Sequence, residues 1–305
     1  MRNTDGWLSG FLGMLIFSGS MAATRLAVTD FDPVFLTVAR GAIAGSLAAL
    51  ILLVCGAKRP RREDLMLLGA VAVCVVAGFP LLTAFALQEI TSAHSLVFIA
   101  LLPLSTALFA VLRGNERPGL AFWLFALTGS GLVIGYAALP GLEASPRGDL
   151  LMLGAVVLCG FGYAQGGVLA RRLGGWQVIC WALVLAAPAM GVLAILTRPP
   201  TFHDVGLSAW AGLAYVSLFS MLIGFIFWYR GLALGGIASV GQLQLLQPFF
   251  GLAIAASLMR EPVSASMLLV TTGVIACVAG ARRFAARQPA SPAPTSPVLV
   301  QPRPR

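Results

Sequence analysis

Few residues in this chain have side chains able to do chemistry, and their positions say what kind. Eleven carboxylates and two histidines stand among 305 residues. Catalysis needs a nucleophile, a base or a ligand cluster brought to one place. His94 and His203 lie far apart, the serines are isolated, and no two cysteines form a C-x-x-C pair. The sequence therefore predicts no enzyme, no metal and no cofactor. Asp5, Asp30, Asp32, Glu63, Asp64, Glu89, Glu116, Glu143, Asp149, Asp204 and Glu261 all fall at the ends of apolar runs or between them. Ion coupling in a membrane relies on ionisable groups inside the apolar core. A carboxylate-based proton or sodium site is not expected here. His94 is the one titrating candidate.

What remains is recognition by uncharged groups. Gln244, Gln247 and Gly251 are spaced i, i+3, i+7 and share a helix face. Tyr163 and Gln165 sit in a glycine-dense run, and His94 precedes Phe98 by one turn. Phe79 stands beside Pro80, and Ser217 lies between Tyr215 and Ser220. Aromatic walls with a few amides and hydroxyls suit an uncharged or zwitterionic organic molecule. The candidate substrate-binding residues are Tyr163, Gln165, His94, Phe98, Gln244, Gln247, Phe79 and Ser217. Trp228 and Tyr229, near a run's end, read as interfacial anchors. Arg40 is the one cation well inside a run, about 10 Å from its start at about 1.5 Å per residue. It either snorkels outward or pairs with Asp30 or Asp32. Alternatively it lines a cavity, attracting a substrate carboxylate, or belongs to an outer gate.

The elements that must position these residues are membrane helices. The chain is 59% hydrophobic and 10% charged, and runs of roughly 18 or more apolar residues read as spanning helices. The runs are continuous, unlike the alternating strands of a membrane barrel. Ten spans are predicted, at about 7–28, 33–56, 65–87, 92–113, 118–139, 149–170, 176–197, 207–232, 237–259 and 263–284. With the N-terminus in the cytoplasm, thirteen Lys and Arg residues of the loops and span ends fall inside and four outside, before the tail is counted. That bias places both termini in the cytoplasm. The net charge of +9 belongs to this pattern, and no basic domain is present to bind nucleic acid. Arg2 and Ser20-Met21-Ala22 outline a signal peptide, but Asp5 weakens its basic start, and the repeat below needs the segment as a first helix. Residues 288–304, QPASPAPTSPVLVQPRP, read as a disordered tail.

An internal repeat organises the whole. Phe98–Glu116 and Leu243–Glu261 are both apolar, each has one proline, and each ends on a glutamate. A shift of 145 residues superposes Pro103 on Pro248 and Glu116 on Glu261. Five helices per copy is an odd number, so the second copy enters the membrane inverted. Inverted repeats are a transporter architecture, with the substrate site between the halves. The expected organisation is residues 1–145 and 146–287 as two five-helix repeats and 288–305 as the tail. Gly41/Gly45, Gly131/Gly135 and Gly231/Gly235 have helix-packing spacing, which fits packing within one chain or a dimer.

Ten spans in two inverted five-helix halves, with a Pro-to-Glu helix 4 repeated as helix 9, resemble a drug/metabolite transporter of the EamA type. The matching residues are Phe17-Ser18-Gly19-Ser20, Pro33 with Arg40, Pro103 to Glu116 and Pro248 to Glu261. The likeness covers about residues 7–286 and is greatest to bacterial aromatic amino-acid exporters. It implies an all-α membrane protein with a central cavity in a bacterial inner membrane. Its partners are the lipid bilayer and a small-molecule substrate, and it acts as a monomer or dimer. Its activity is export of amino acids with aromatic or bulky apolar side chains, with multidrug or quaternary-ammonium efflux as the alternative. Arg40, Pro103, Pro248, Glu116 and Glu261 would then be gating or structural residues. The second half has Trp181-Ala182-Leu183 where an Arg40 counterpart would stand.

Overall fold

Proline and aspartate set where the long helix at Pro33 begins. Pro33 lacks an N–H to donate and suits a first helical turn. Asp32 before it accepts from Val34 N at 2.8 Å and Phe35 N at 3.1 Å, an N-cap that starts the helix Pro33–Val54. The computed structural model describes residues 2–114, 120–137, 145–235 and 240–284. The tail at 288–305 and Glu116 lie outside them.

Among the described residues every regular element is helical. In chain order these are α1 (Arg2–Ser18), α2 (Ser20–Ala27), α3 (Pro33–Val54) and α4 (Arg62–Val71). A π-helical stretch (Ala72–Gly78) leads into α5 (Phe79–Glu89). Next come α6 (Ser92–Ile99), α7 (Leu102–Gly114), α8 (Leu120–Ala137), α9 (Pro146–Leu173), α10 (Gly175–Leu196) and α11 (Leu207–Ala214). A second π-helical stretch (Tyr215–Gly224) leads into α12 (Phe225–Gly235). A 3-10 turn (Gly241–Leu246) precedes α13 (Gln247–Leu258), and α14 (Ala265–Phe284) follows. Six helical rods, Asp5–Ala27, Pro33–Val54, Arg62–Glu89, Pro146–Leu173, Gly175–Leu196 and Leu207–Leu234, are long and apolar enough to cross a membrane. Other apolar helices, such as Ser92–Thr106 and Leu243–Leu258, are shorter.

The outer faces of the long rods are apolar. Leu53, Val54, Met66, Leu196 and Leu207 are all more than two-thirds exposed, a pattern suited to lipid contact. Inside, glycine brings the helices to backbone contact. A Cβ on Gly231 would lie 2.6 Å from Gly10 N, and one on Gly13 2.8 Å from Trp228 N, so only glycine fits where α1 meets α12. Gly45 fits likewise against α10, where a Cβ would stand 2.7 Å from the Ala187 Cβ. Gly131 and Gly135 meet open space instead. Glycine at membrane-helix interfaces gains dispersion contact without a hydrophobic driving force.

Pro103 and Pro248 do not interrupt continuous helices. Pro103 is the second residue of α7, after a turn at Ala100–Leu101, and Pro248 is the second of α13, after the 3-10 turn. Each proline starts a fresh helix where the chain has already broken, the placement its missing N–H favours.

Candidate functional site

The break in the first rod, between Ser18 and Ser20, frees a carbonyl. Tyr215, the first residue of the second π-helical stretch, donates its hydroxyl to Ile16 O at 2.8 Å. Its ring passes so close to Gly19 that a Cβ there would lie 2.5 Å from the hydroxyl oxygen. Ser20 Oγ donates to Ser220 Oγ at 2.8 Å and ties the same two elements. The wide π turn thus holds the broken helix in place, and Phe17 is turned toward α12.

An aromatic cluster forms there from α1, α9 and α12. The Phe17 ring lies 4.8 Å from Phe225 and 6.2 Å from Trp228. Tyr163 lies 5.8 Å from Phe225 and 6.1 Å from Trp228, and Phe225 is 5.6 Å from Tyr229. Gln247, in the first turn of α13, donates from Nε2 to Phe17 O at 3.5 Å, and Gln244 is one turn earlier. Four polar atoms on these residues are buried without a hydrogen-bond partner among the described residues. They are Trp228 Nε1, the Tyr229 hydroxyl, Gln244 Nε2 and Gln247 Oε1. Each such group costs about 1–3 kcal/mol when buried unpaired, and a polar ligand is one thing that satisfies it.

Trp228 and Tyr229 are 1% and 0% exposed. The expectation that they anchor an interface is corrected: they are interior residues. A place near a span's end does not say which way a side chain faces, and α12 turns this pair toward α1 and α9. Of the expected substrate residues, Tyr163 and Gln247 are brought together here, with Gln244 adjacent on the 3-10 turn. Gln165 is fully buried on α9. Phe79 is half-buried at the start of α5, and Ser217 donates its hydroxyl to Leu213 O at 2.6 Å within its own rod.

Arg40 is 4% exposed, so it does not snorkel. Nor does it pair with the aspartates proposed for it. Asp32 caps α3, and Asp30 Oδ2 accepts from Gly206 N at 2.8 Å. The Arg40 Nε is buried without a partner among the described residues.

A second group of polar residues gathers where α6 and α9 begin. Glu261, on the segment after α13, accepts from Ser92 N at 3.1 Å, Ser92 Oγ at 2.6 Å and Ala93 N at 2.8 Å. It thereby satisfies donors that a helix start leaves free. One residue on, His94 Nε2 lies 2.7 Å from Asp149 Oδ1, and the Tyr136 hydroxyl lies 3.2 Å from His94 Nδ1. Phe98 lies beside the imidazole, tilted by 32° with ring centroids 5.8 Å apart. Nearby, Arg147 pairs with Glu89 at 3.1 Å, Ser145 donates to Glu89, and Arg25 donates to Leu87 O. His94 and Phe98 therefore belong to a polar cluster at a helix start, apart from the aromatic one. Asp149 does sit at a span end as expected, but it is buried, and a carboxylate faces the histidine after all. The signal that pairs them is topological: both begin spans that start on the same side of the expected topology.

At the opposite end, Arg172 pairs with the buried Asp64, which also accepts from Arg61 N at 3.2 Å. A cavity of about 620 Å³ opens there, lined by Lys58, Arg59, Arg61, Arg172, Trp176 and Gln177 among others.

The EamA-like transporter family matches the chain twice, over residues 5–135 and 146–282. The uncharacterized transporter YdeK of Bacillus subtilis (strain 168) is 59% identical over 284 residues, 93% of this chain and 99% of that protein. A probable terminal-alkyne amino-acid exporter of Streptantibioticus cattleyicolor is 22% identical over 246 residues, 78% of this chain and 80% of that protein. One protein of known crystal structure superposes with a TM-score of 0.65 at 21% identity, over 92% of this chain and 99% of that one. That likeness is one of fold.

Proposed function

We propose that this chain, which belongs to the EamA-like transporter family, exports small amphipathic metabolites, namely amino acids with aromatic or bulky apolar side chains. It is a multi-pass membrane transporter and not an enzyme. Beyond that, the reading is ten spans in two inverted five-helix halves around a central cavity, with both termini in the cytoplasm of a bacterium and export by alternating access. The double family match supports the halves. So does a recurrence: the π-helical stretch Ala72–Gly78, shifted by 145 residues, falls within Tyr215–Gly224. The arginine and lysine asymmetry supports the orientation.

One observation carries the substrate class. Trp228 Nε1 and the Tyr229 hydroxyl belong to the ring cluster, Gln247 Oε1 to an amide bonded to Phe17 O, and Gln244 Nε2 to the turn before it, and all four are buried without a partner among the described residues. Trp228 Nε1 and Gln244 Nε2 suit a carboxylate, Gln247 Oε1 suits an ammonium, and the rings suit an aromatic side chain. A zwitterionic aromatic amino acid uses all of them. The probable amino-acid exporter among the relatives agrees in class.

The test is efflux from proteoliposomes preloaded with phenylalanine, tryptophan or tyrosine. The expected result is protein-dependent efflux of at least one of them, strongly reduced by Trp228→Ala and by Gln247→Ala. Absence of efflux for all three removes the amino-acid assignment. Efflux of a quaternary ammonium instead would establish the multidrug alternative.

A further inference from the structure

The buried chain Asp149–His94–Tyr136 is a place where one proton can enter or leave at little structural cost. His94 is 2% exposed and Asp149 7%. With the imidazole neutral, Nε2–H donates to Asp149 Oδ1 and Nδ1 accepts from the Tyr136 hydroxyl. With the imidazole charged, both nitrogens donate, and the Tyr136 hydroxyl turns to accept. A hydroxyl rotates to suit either role. Both occupancies keep both hydrogen bonds, so a proton taken from water settles on Nδ1 without moving a helix. The local charge changes from −1 to 0, and buried charge is costly in an apolar surrounding. The stability of this packing therefore depends on the proton.

The groups facing the imidazole from the packed elements are few. Tyr136 comes from α8 and Asp149 from α9, while Arg147, also of α9, is mostly exposed and pairs with Glu89 rather than the imidazole. Glu89 ends α5 and is held by Arg147 and Ser145, and Arg25 of α2 is held by Leu87 O. Glu261 follows α13 and is held by Ser92 and Ala93, with the exposed Arg260 before it. The arginines of α14, Arg282 and Arg283, are at its far end. Asp149 is the one acidic oxygen on the imidazole itself among the described residues.

The position gives the proton leverage. α6 and α8 belong to the first proposed half, while α9 and Glu261 belong to the second. The cluster therefore sits on the seam that opens and closes as the halves rock. An occupant that changes the energy of one of two states biases the equilibrium between them. We propose that His94, Asp149 and Tyr136 form the carrier's proton-binding site, through which inward proton movement is exchanged for substrate export. The exchange part rests on the exporter reading; the proton site does not.

Two measurements test it. The first needs no substrate: hydrogen–deuterium exchange of the protein in nanodiscs, over residues 91–99 and 145–150, corrected for intrinsic rates. Between about pH 5 and about pH 8, the window in which imidazoles change charge, protection is expected to change in the wild type. In His94→Gln and Asp149→Asn it is expected to stay constant, while Tyr136→Phe is intermediate. The second compares, in proteoliposomes, pH-gradient-driven accumulation of labelled phenylalanine with its exchange at equal pH. The ratio of the two is expected to fall to its no-gradient level in both variants. Protection independent of pH in the wild type, or accumulation surviving in both variants, overturns the proposal. If wild-type vesicles carry no phenylalanine, tryptophan and tyrosine take its place in the comparison; if none of the three is carried, the amino-acid reading falls, and the exchange-protection result alone decides the proton site.

Discussion

Glu261→Ala is expected to destabilise the protein by about 2–4 kcal/mol and to lower its melting temperature in detergent, because charge-assisted hydrogen bonds and helix caps contribute at that scale. Three donors at the start of α6 lose their acceptor at once, and the site is only partly open to water. Glu261→Gln keeps one carbonyl oxygen and is expected to recover about half of the loss, since a neutral acceptor bonds about half as strongly. Glu261→Asp keeps the charge but shortens the reach, and is expected to fall between the two. If alanine and wild type melt alike, the clamp contributes nothing and the three contacts are incidental.

Gly231→Val is expected to abolish monodisperse folded protein in size-exclusion chromatography. Overpacking ordinarily costs about 1–3 kcal/mol, and more when the neighbour is backbone that has no rotamer to yield. A Cβ at this position would meet Gly10 N at 2.6 Å and Gly10 Cα at 2.7 Å. α1 would have to leave α12, taking Phe17 away from Phe225 and Trp228. Gly135→Ala is the control. Nothing lies within 4 Å of a Cβ there, and the variant is expected to fold like the wild type. Equal behaviour of the two variants would show that the α1–α12 contact is not held at backbone distance.

The two glycine pairs look identical in sequence, and that shows where sequence reading ends. Spacing places Gly131 and Gly135 on one helix face just as it places Gly41 and Gly45, but it does not say what the face meets. The same limit explains the histidine. Span boundaries put His94 and Asp149 at helix starts, where the structure has them. Their pairing depends on which helices are neighbours, and no periodicity within either run encodes that. Arg40 fails differently. Asp30 and Asp32 were the nearest carboxylates in the chain, but local geometry claims both, one as a cap and one for Gly206 N. Trp228 and Tyr229 were misjudged because nearness to a span's end does not reveal the face, and theirs packs against α1 and α9. What was legible was whatever one run carries by itself: apolar length, the proline positions, and a glutamate suited to a helix end. The aromatic cluster draws on rods from α1, α9 and α12, so only Tyr163 and the glutamines announced themselves.

The contact of Gly10 and Gly13 with Gly224, Trp228 and Gly231 also sets a schedule for synthesis. α1 is made first, yet its tightest neighbour leaves the ribosome more than two hundred residues later. α3 waits likewise for α10, against which Gly41 and Gly45 pack. Until then the glycine faces of the early helices lack these partners. A nascent chain stalled before residue 231 therefore holds inserted helices without their final partners, and the mature bundle closes only near the end of translation.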